Sequence, residues 1–191
     1  KMIKRLHWLY PPTAQRFFFN LMTLICEKLE KLSECFSEIK VLDDSTGLYN
    51  KDNFLKILDS EISRSRRYRT NLSLCFMRFD FKGAGPAPDN FTKERILRSI
   101  GEAFSIQVRK CDTLGRFDHQ IFALLMPQTS AAEAQLFCDR LKQLLAEISK
   151  QIEYVQVKLR VGLTDFVSGT DESASDMLAR AMNLLHHAKD A

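Results

Sequence analysis

Arg109 and Asp112 put a guanidinium and a carboxylate three positions apart on one short segment. A guanidinium offers a planar fork of donors that suits a phosphate or the polar edge of a base, and a carboxylate accepts from paired N–H groups. Taken alone, such a pair is most often a helix-end salt bridge that contributes little. Arg140 follows later, next to Asp139, and Arg64, Arg66, Arg67 and Arg69 form a cluster that reads most simply as a solvated helix face. Cys111, inside the first pair, fits a half-buried inert thiol better than a redox handle. His119 is isolated and His186-His187 lacks partners at ligand spacing, so no histidine is read as a metal ligand.

The elements that must position these residues follow from periodicity. A run from about Thr13, a candidate N-cap after Pro11-Pro12, to about Lys40 places Phe18, Met22, Ile25, Leu29, Leu32, Phe36 and Ile39 at alternating spacings of four and three. That is the a/d register of a coiled coil, and it fits equally a long helix packed on its own domain or a parallel dimer stalk. After the turn formers Asp43 to Gly47, the pattern predicts a helix from Asn50 to about Tyr68 and a strand over 72–80, with Leu72, Leu74 and Phe76 on one face. A helix over 90–108 comes next, then a hairpin of strands 113–117 and 121–126 turning at Asp118-His119-Gln120. Ser130 with Glu133 caps a helix to about Lys150, the run 155–163 alternates as a strand, and a helix over 173–189 closes the chain. Helices interleaved with strands predict an α/β (α+β) fold, a central sheet covered by helices with an N-terminal amphipathic helix. The domains expected are an arm over 1–42 and a compact domain over 43–191.

Composition narrows the function. The 191 residues carry a formal net charge of +4, from 28 basic and 24 acidic side chains, which is short of the basic stripe a nucleic-acid binder shows. Five cysteines without a CxxC pair suit reduced thiols in a cytoplasmic domain and argue against structural zinc. No run reaches the ~20 apolar residues of a membrane span. The start at Lys1-Met2 and the helical end read as an excised piece, so the expected location is cytoplasmic, with room for a membrane anchor in a longer protein.

Three motifs together resemble the GGDEF family, the diguanylate cyclase domain that condenses two GTP molecules into cyclic di-GMP. Asp43-Asp44-Ser45-Thr46-Gly47-Leu48-Tyr49-Asn50-Lys51 is similar to its opening D-x-L-T-G-L-x-N-R, and Ala181 to Lys189 resembles its closing A-D-x-A-L-Y-x-A-K. Arg116-Phe117-Asp118-His119-Gln120-Ile121-Phe122 stands where the family has R-Y-G-G-D-E-F. By the same resemblance Asp118 and His119 replace the two glycines that admit GTP phosphates, and Gln120, Ile121 and Arg78 stand at positions of magnesium ligands. Of the guanine-reading F-K-x-x-N-D only Phe81-Lys82 remains, while Lys189 matches a phosphate-binding lysine. These departures carry the expectation of a chain that is not an enzyme, with no catalytic residue, no metal ligand and no cofactor.

The resemblance also implies a second site. In many family members an R-x-x-D precedes the signature and binds cyclic di-GMP, its aspartate six residues before the first signature glycine; Asp112 stands six before Asp118. The residues implied to bind cyclic di-GMP are Arg109, Asp112, Arg140 from the helix after the hairpin, and Arg64 from the helix before the first strand. The leading expectation is a cyclic di-GMP receptor similar to the Pel-type receptors, acting on a protein partner of exopolysaccharide synthesis or export and so on biofilm output. Two others are kept: a nucleotide-free dimerisation or scaffold module, homodimeric through the N-terminal helix, and a cyclase using unusual ligands.

Overall fold

The computed structural model of the chain describes residue 16 and residues 18–29, 40–83, 88–152, 155–166 and 173–188. Two compact units separate, 1–40 and 41–191. In the first, residues 18–29 are helical, with Phe18, Met22, Ile25 and Leu29 exposed. The N-cap Thr13, the remaining a/d positions Leu32, Phe36 and Ile39, and Lys189 lie outside the described residues.

The second unit runs α1 (Lys51–Tyr68), β1 (Leu72–Gly83), α2 (Asn90–Gln107), β2 (Thr113–Asp118), β3 (Ile121–Pro127), α3 (Ala131–Gln151), β4 (Val155–Asp165) and α4 (Ala174–His187). Its four strands form one sheet in the order β2-β3-β1-β4, with every neighbouring pair antiparallel. The alternation of β1 divides the core. Leu72, Leu74 and Phe76 join Phe54, Leu58 and Ile62 of α1 and Met177, Ala181 and Leu185 of α4. Cys75, Met77 and Phe79 face the other way, onto Leu97, Ile100 and Phe104 of α2 and Cys138 and Leu141 of α3. Successive strand residues point to opposite faces, so one 12-residue strand contributes to both layers. Each fully buried Phe or Leu contributes about 1.5–3 kcal/mol.

Helix starts are set by local chemistry. The Asn50 side chain accepts from the Asn53 N–H, Asp89 from Thr92, and Ser130 and Ser173 form reciprocal capping boxes with Glu133 and Asp176. The strand predicted over 72–80 extends to Gly83, because Asp80 to Gly83 pair with Lys158 to Val155 of β4. The hairpin turns where the sequence places it, with a register shift between Arg116 and Asp118.

Close approach dictates the glycine at 162. A Cβ on Gly162 would lie 2.3 Å from the Ala181 carbonyl oxygen and 2.4 Å from the Leu185 nitrogen, both backbone atoms of α4. Gly162→Ala should therefore force α4 off the sheet, costing about 3 kcal/mol and lowering Tm by roughly 6–12 °C in a thermal melt; an unchanged Tm would contradict this packing.

Candidate functional site

The two ends of the signature hairpin are built around Arg116, whose side chain is only 8% exposed. Its Nη1 donates to Glu94 Oε2 at 2.7 Å, to Asp43 Oδ1 at 3.3 Å and to the Ser45 hydroxyl. Its Nη2 donates to Glu94 Oε1 at 2.6 Å and to the His119 carbonyl at 2.7 Å. One guanidinium thus joins the Asp43–Gly47 turn, helix α2 and the hairpin tip. Asp43 Oδ1 also accepts from the Thr46 amide and hydroxyl and from the Ser45 hydroxyl, and Gly47 closes the turn at φ +71°, a conformation glycine adopts without a Cβ penalty. Arg98 holds the same turn from outside, donating to the Ser45 and Asp44 carbonyls.

Arg109 and Asp112 sit in the turn between α2 and β2. The backbone closes that turn in both directions: the Arg109 N–H donates to Asp112 Oδ2 at 3.2 Å and the Asp112 N–H to the Arg109 carbonyl at 3.0 Å. The sequence offered a helix-end salt bridge for this pair, and the structure shows a different arrangement. Among the described residues the Arg109 guanidinium makes no hydrogen bond or ion pair. Burial pushes the Asp112 carboxyl above its usual range, against the opposing pull of the Arg109 amide, the Cys111 thiol and the Arg109 charge. The pair lines a groove of about 370 Å³ shared with Leu42, Tyr49, Ser105 and Leu114.

Arg140, on α3, stacks over Phe137 at 5.1 Å and lines a second groove of about 200 Å³ with Gln107, the last residue of α2. Two grooves therefore flank the C-terminal end of α2, one holding Arg109 and Asp112, the other Arg140. Arg64 is not brought to them. It belongs to α1, whose buried residues join the opposite core, and it pairs with Glu61 at 3.0 Å.

At the other end of β1, Arg78 and Arg160 are register partners on adjacent strands, and Asp80 lies between them, 3.3 Å from Arg78 Nε and 2.6 Å from Arg160 Nε. Among the described residues no three His, Cys, Asp or Glu side chains are placed to hold a metal ion. Arg78 Nε is buried without a hydrogen bond, and a guanidinium repels a cation, so the side chains here do not fit a magnesium ion. Sequence reasoning missed Glu94 and Arg160. No local pattern announces an ion pair whose partner is 22 or 80 residues away.

The comparisons with known proteins bear on this geometry. Residues 40–191 match the family described as "Diguanylate cyclase, GGDEF domain", and the chain belongs to that family. It is 26% identical over 152 residues to the diguanylate cyclase DgcP of Pseudomonas aeruginosa, covering 78% of this chain and only 22% of that relative. Among solved structures it resembles the GGDEF domain of FimX from Pseudomonas aeruginosa, with TM-score 0.65 and 21% identity over 78% of this chain and 93% of that one. It also resembles the coiled coil and GGDEF domain of DgcB from Caulobacter crescentus in complex with c-di-GMP, with TM-score 0.64 and 15% identity over 91% of this chain and 93% of that one. The α/β fold expected from the sequence is the one these structures share. No helix among the described residues is long and apolar enough to cross a membrane.

One expectation is corrected. The reading of the chain as not an enzyme rested on single side chains at Arg78, Asp118, His119, Gln120 and Ile121. It is overturned by a match that runs through the whole domain to a family of diguanylate cyclases, and by a relative named as one. Isolated replacements in a signature change local chemistry; they do not set the class of a domain whose entire length follows the pattern.

The Arg116 cluster has a readable acid dependence. The Arg116 hydrogen bonds draw Glu94 below its usual range. Burial alone would raise Asp43, but its bonds from Thr46 and Ser45, with the Arg116 charge, bring it below. Carboxylates with lowered folded-state values stabilise above their unfolded values and lose that contribution as pH falls through the folded ones. Arg116→Met should thus cost about 2–3 kcal/mol at pH 7, less than a fully buried pair because Glu94 is partly exposed. In urea denaturation the gap between wild type and variant should narrow as pH drops below about 4, and a gap independent of pH would refute this account.

Proposed function

We propose that this chain binds cyclic di-GMP at Arg109 and Asp112, with Arg140 as a further cation, and that binding regulates a protein partner. The observation that carries the reading is the state of Arg109. Its backbone fixes the turn while its guanidinium makes no hydrogen bond or ion pair among the described residues, which leaves the donors of its fork for a guanine edge or a phosphate. Asp112 complements it: a half-buried carboxylate gains most from donors that arrive with a ligand, and guanine N1–H and N2–H are such donors. Tyr49 also lines the groove beside them. The likeness to a GGDEF structure that holds c-di-GMP supports the choice of ligand. The output proposed is exopolysaccharide synthesis or export, hence biofilm formation, on the strength of the resemblance to receptors of that kind.

Titration calorimetry with cyclic di-GMP tests the binding. Arg109→Ala and Asp112→Ala should each weaken it about tenfold or more, while Arg64→Ala, whose side chain is already paired with Glu61, should have a smaller effect. Because the free carboxyl of Asp112 is raised and the ligand needs it ionised, affinity should fall as pH drops through that raised value, and Asp112→Asn should abolish the dependence. No heat at high ligand concentration would sink the proposal.

A second reading, a dimerisation module, is favoured by the exposed Phe18, Met22, Ile25 and Leu29 of the N-terminal helix. Sedimentation at several concentrations should show a dimer that Met22→Asp with Leu29→Asp dissociates; a wild-type chain that stays monomeric at all concentrations would remove it.

A further inference from the structure

Away from the grooves and the arginine clusters, two nucleophiles meet in the core layer that β1 shares with α2 and α3. Cys75 of β1 and Cys138 of α3, 63 positions apart in the chain, bring their sulfurs to 3.3 Å, and both side chains are buried. The register partners of Cys75 are Leu124 of β3 and Leu163 of β4, and Leu141, one turn on from Cys138, is buried in the same cluster. A single thiol among such neighbours packs as a small hydrophobe. Two thiols in contact are also the reactant pair of a disulfide, and closing them to its S–S length of roughly 2.05 Å takes about 1.3 Å more.

The two sulfurs are unequal. Cys138 donates to Cys75, and Cys75 has the Phe76 carbonyl at 3.8 Å as an acceptor of its own. When Cys138 ionises, the Cys75 hydrogen can turn to it. That bond, opposed by burial and helped by the charge of Lys142 one turn along α3, draws Cys138 below its usual range. The same bond, together with burial, pushes Cys75 up. Lys142 also pairs at 3.2 Å with Asp139, whose side chain is 49% exposed, so Cys138 is the end of the pair that borders the surface. The thiolate is the nucleophile in thiol chemistry; Cys138 therefore reacts first and Cys75 resolves it. Burial keeps out bulky reagents and protein disulfides, which leaves a small oxidant such as hydrogen peroxide.

We propose that Cys75 and Cys138 are a reversible oxidation site, at which a small peroxide converts the two thiols into one disulfide that pins α3, and with it Arg140, to the inner strand β1. The Cys138 thiolate attacks a peroxide oxygen: an S–O bond forms, the O–O bond breaks, and the hydroxide that leaves takes up the proton Cys138 released. The Cys75 sulfur then attacks the Cys138 sulfur: the S–S bond forms, the S–O bond breaks, and the departing hydroxide leaves with the Cys75 proton as water. Two thiols lose two electrons and two protons, and one peroxide becomes two waters. A dithiol reductant reverses the change. Neither Arg109 nor Asp112 takes part, so failure of the cyclic di-GMP reading leaves the site standing.

The test uses the full chain with Cys26, Cys35 and Cys111 replaced by serine, exposed to hydrogen peroxide in native buffer, alkylated and mapped by mass spectrometry without reductant. The peptides holding Cys75 and Cys138 should appear joined, two hydrogens lighter than their sum, and dithiothreitol should separate them. The oxidised chain should melt about 5 °C or more above the reduced one. In Cys75→Ser, dimedone should trap a sulfenic acid on Cys138, whereas in Cys138→Ser the Cys75 thiol should stay unmodified. Should either serine variant melt early, the joined peptides of the parent chain and its Tm decide the matter. Two free thiols after millimolar peroxide, a cross-link that forms only in urea, or an oxidised chain that melts no higher than the reduced one would overturn the proposal.

Discussion

The rest of the domain depends on the guanidinium of Arg116. A buried cation costs several kcal/mol in desolvation unless its donors are satisfied, and this one is met by two carboxylates, a hydroxyl and a carbonyl. Because those acceptors come from the turn before α1, from α2 and from the hairpin tip, satisfying one charge fixes three segments at once. Behind it, the Tyr49 N–H donates to the Leu114 carbonyl and the Arg116 N–H to the Tyr49 carbonyl, so the Leu42–Tyr49 segment lies along the open edge of β2. An edge strand with unpaired backbone is otherwise a template for aggregation. The same approach explains Gly115, where a Cβ would meet the Phe54 ring at 2.8 Å and the Tyr49 carbonyl at 3.0 Å.

What was legible in the sequence was local. The alternation of β1, the Ser130–Glu133 box and the hairpin at Asp118 to Gln120 each follow from neighbours within a few residues, and all appear as read. The Arg109–Asp112 turn was half legible. Its spacing announced a pair, but not that the backbone would make the contact and leave the guanidinium out. The partners of Arg116 and Asp80 were not legible, because alternation assigns a residue to a face and says nothing of which strand lies beside it. Arg160 becomes the neighbour of Arg78 only once β4 is paired antiparallel to β1 in one register. The enzyme class erred for a related reason: it weighed a handful of side chains at the signature, whereas membership is carried by the pattern of the whole domain.

The arginines of this chain differ in what their terminal donors do. The Arg109 main chain closes its own turn, and Arg78 meets Asp80 through Nε. An exposed arginine that must also form a salt bridge loses side-chain freedom and competes for its own donors, as Arg64 does with Glu61. An arginine whose terminal donors are unused gives up no protein contact when a ligand arrives, although its side chain still has to be ordered. Exposure alone therefore does not rank the cations of this chain; what ranks them is whether their donors are already taken by a protein acceptor.

The Arg109–Asp112 turn is joined to the hairpin tip and to β1 by continuous contacts. From Asp112 the chain enters β2, where Leu114 bonds to Tyr49 and Tyr49 to Arg116. Arg116 grips the His119 carbonyl at the hairpin tip, the neighbouring Gln120 carbonyl accepts the Phe79 N–H at 2.9 Å, and Phe79 adjoins both Arg78 and Asp80. Spatial continuity is not coupling by itself; coupling requires an element with two arrangements that both ligands bias. The element with the right connections is the Asp43–Tyr49 turn. It walls the Arg109 groove through Leu42 and Tyr49 and holds Arg116 through Asp43 and Ser45. A ligand that moved Tyr49 would act on Arg116, and a ligand that moved the hairpin tip would act on the groove by an equal free energy, since linkage between two binding sites is reciprocal.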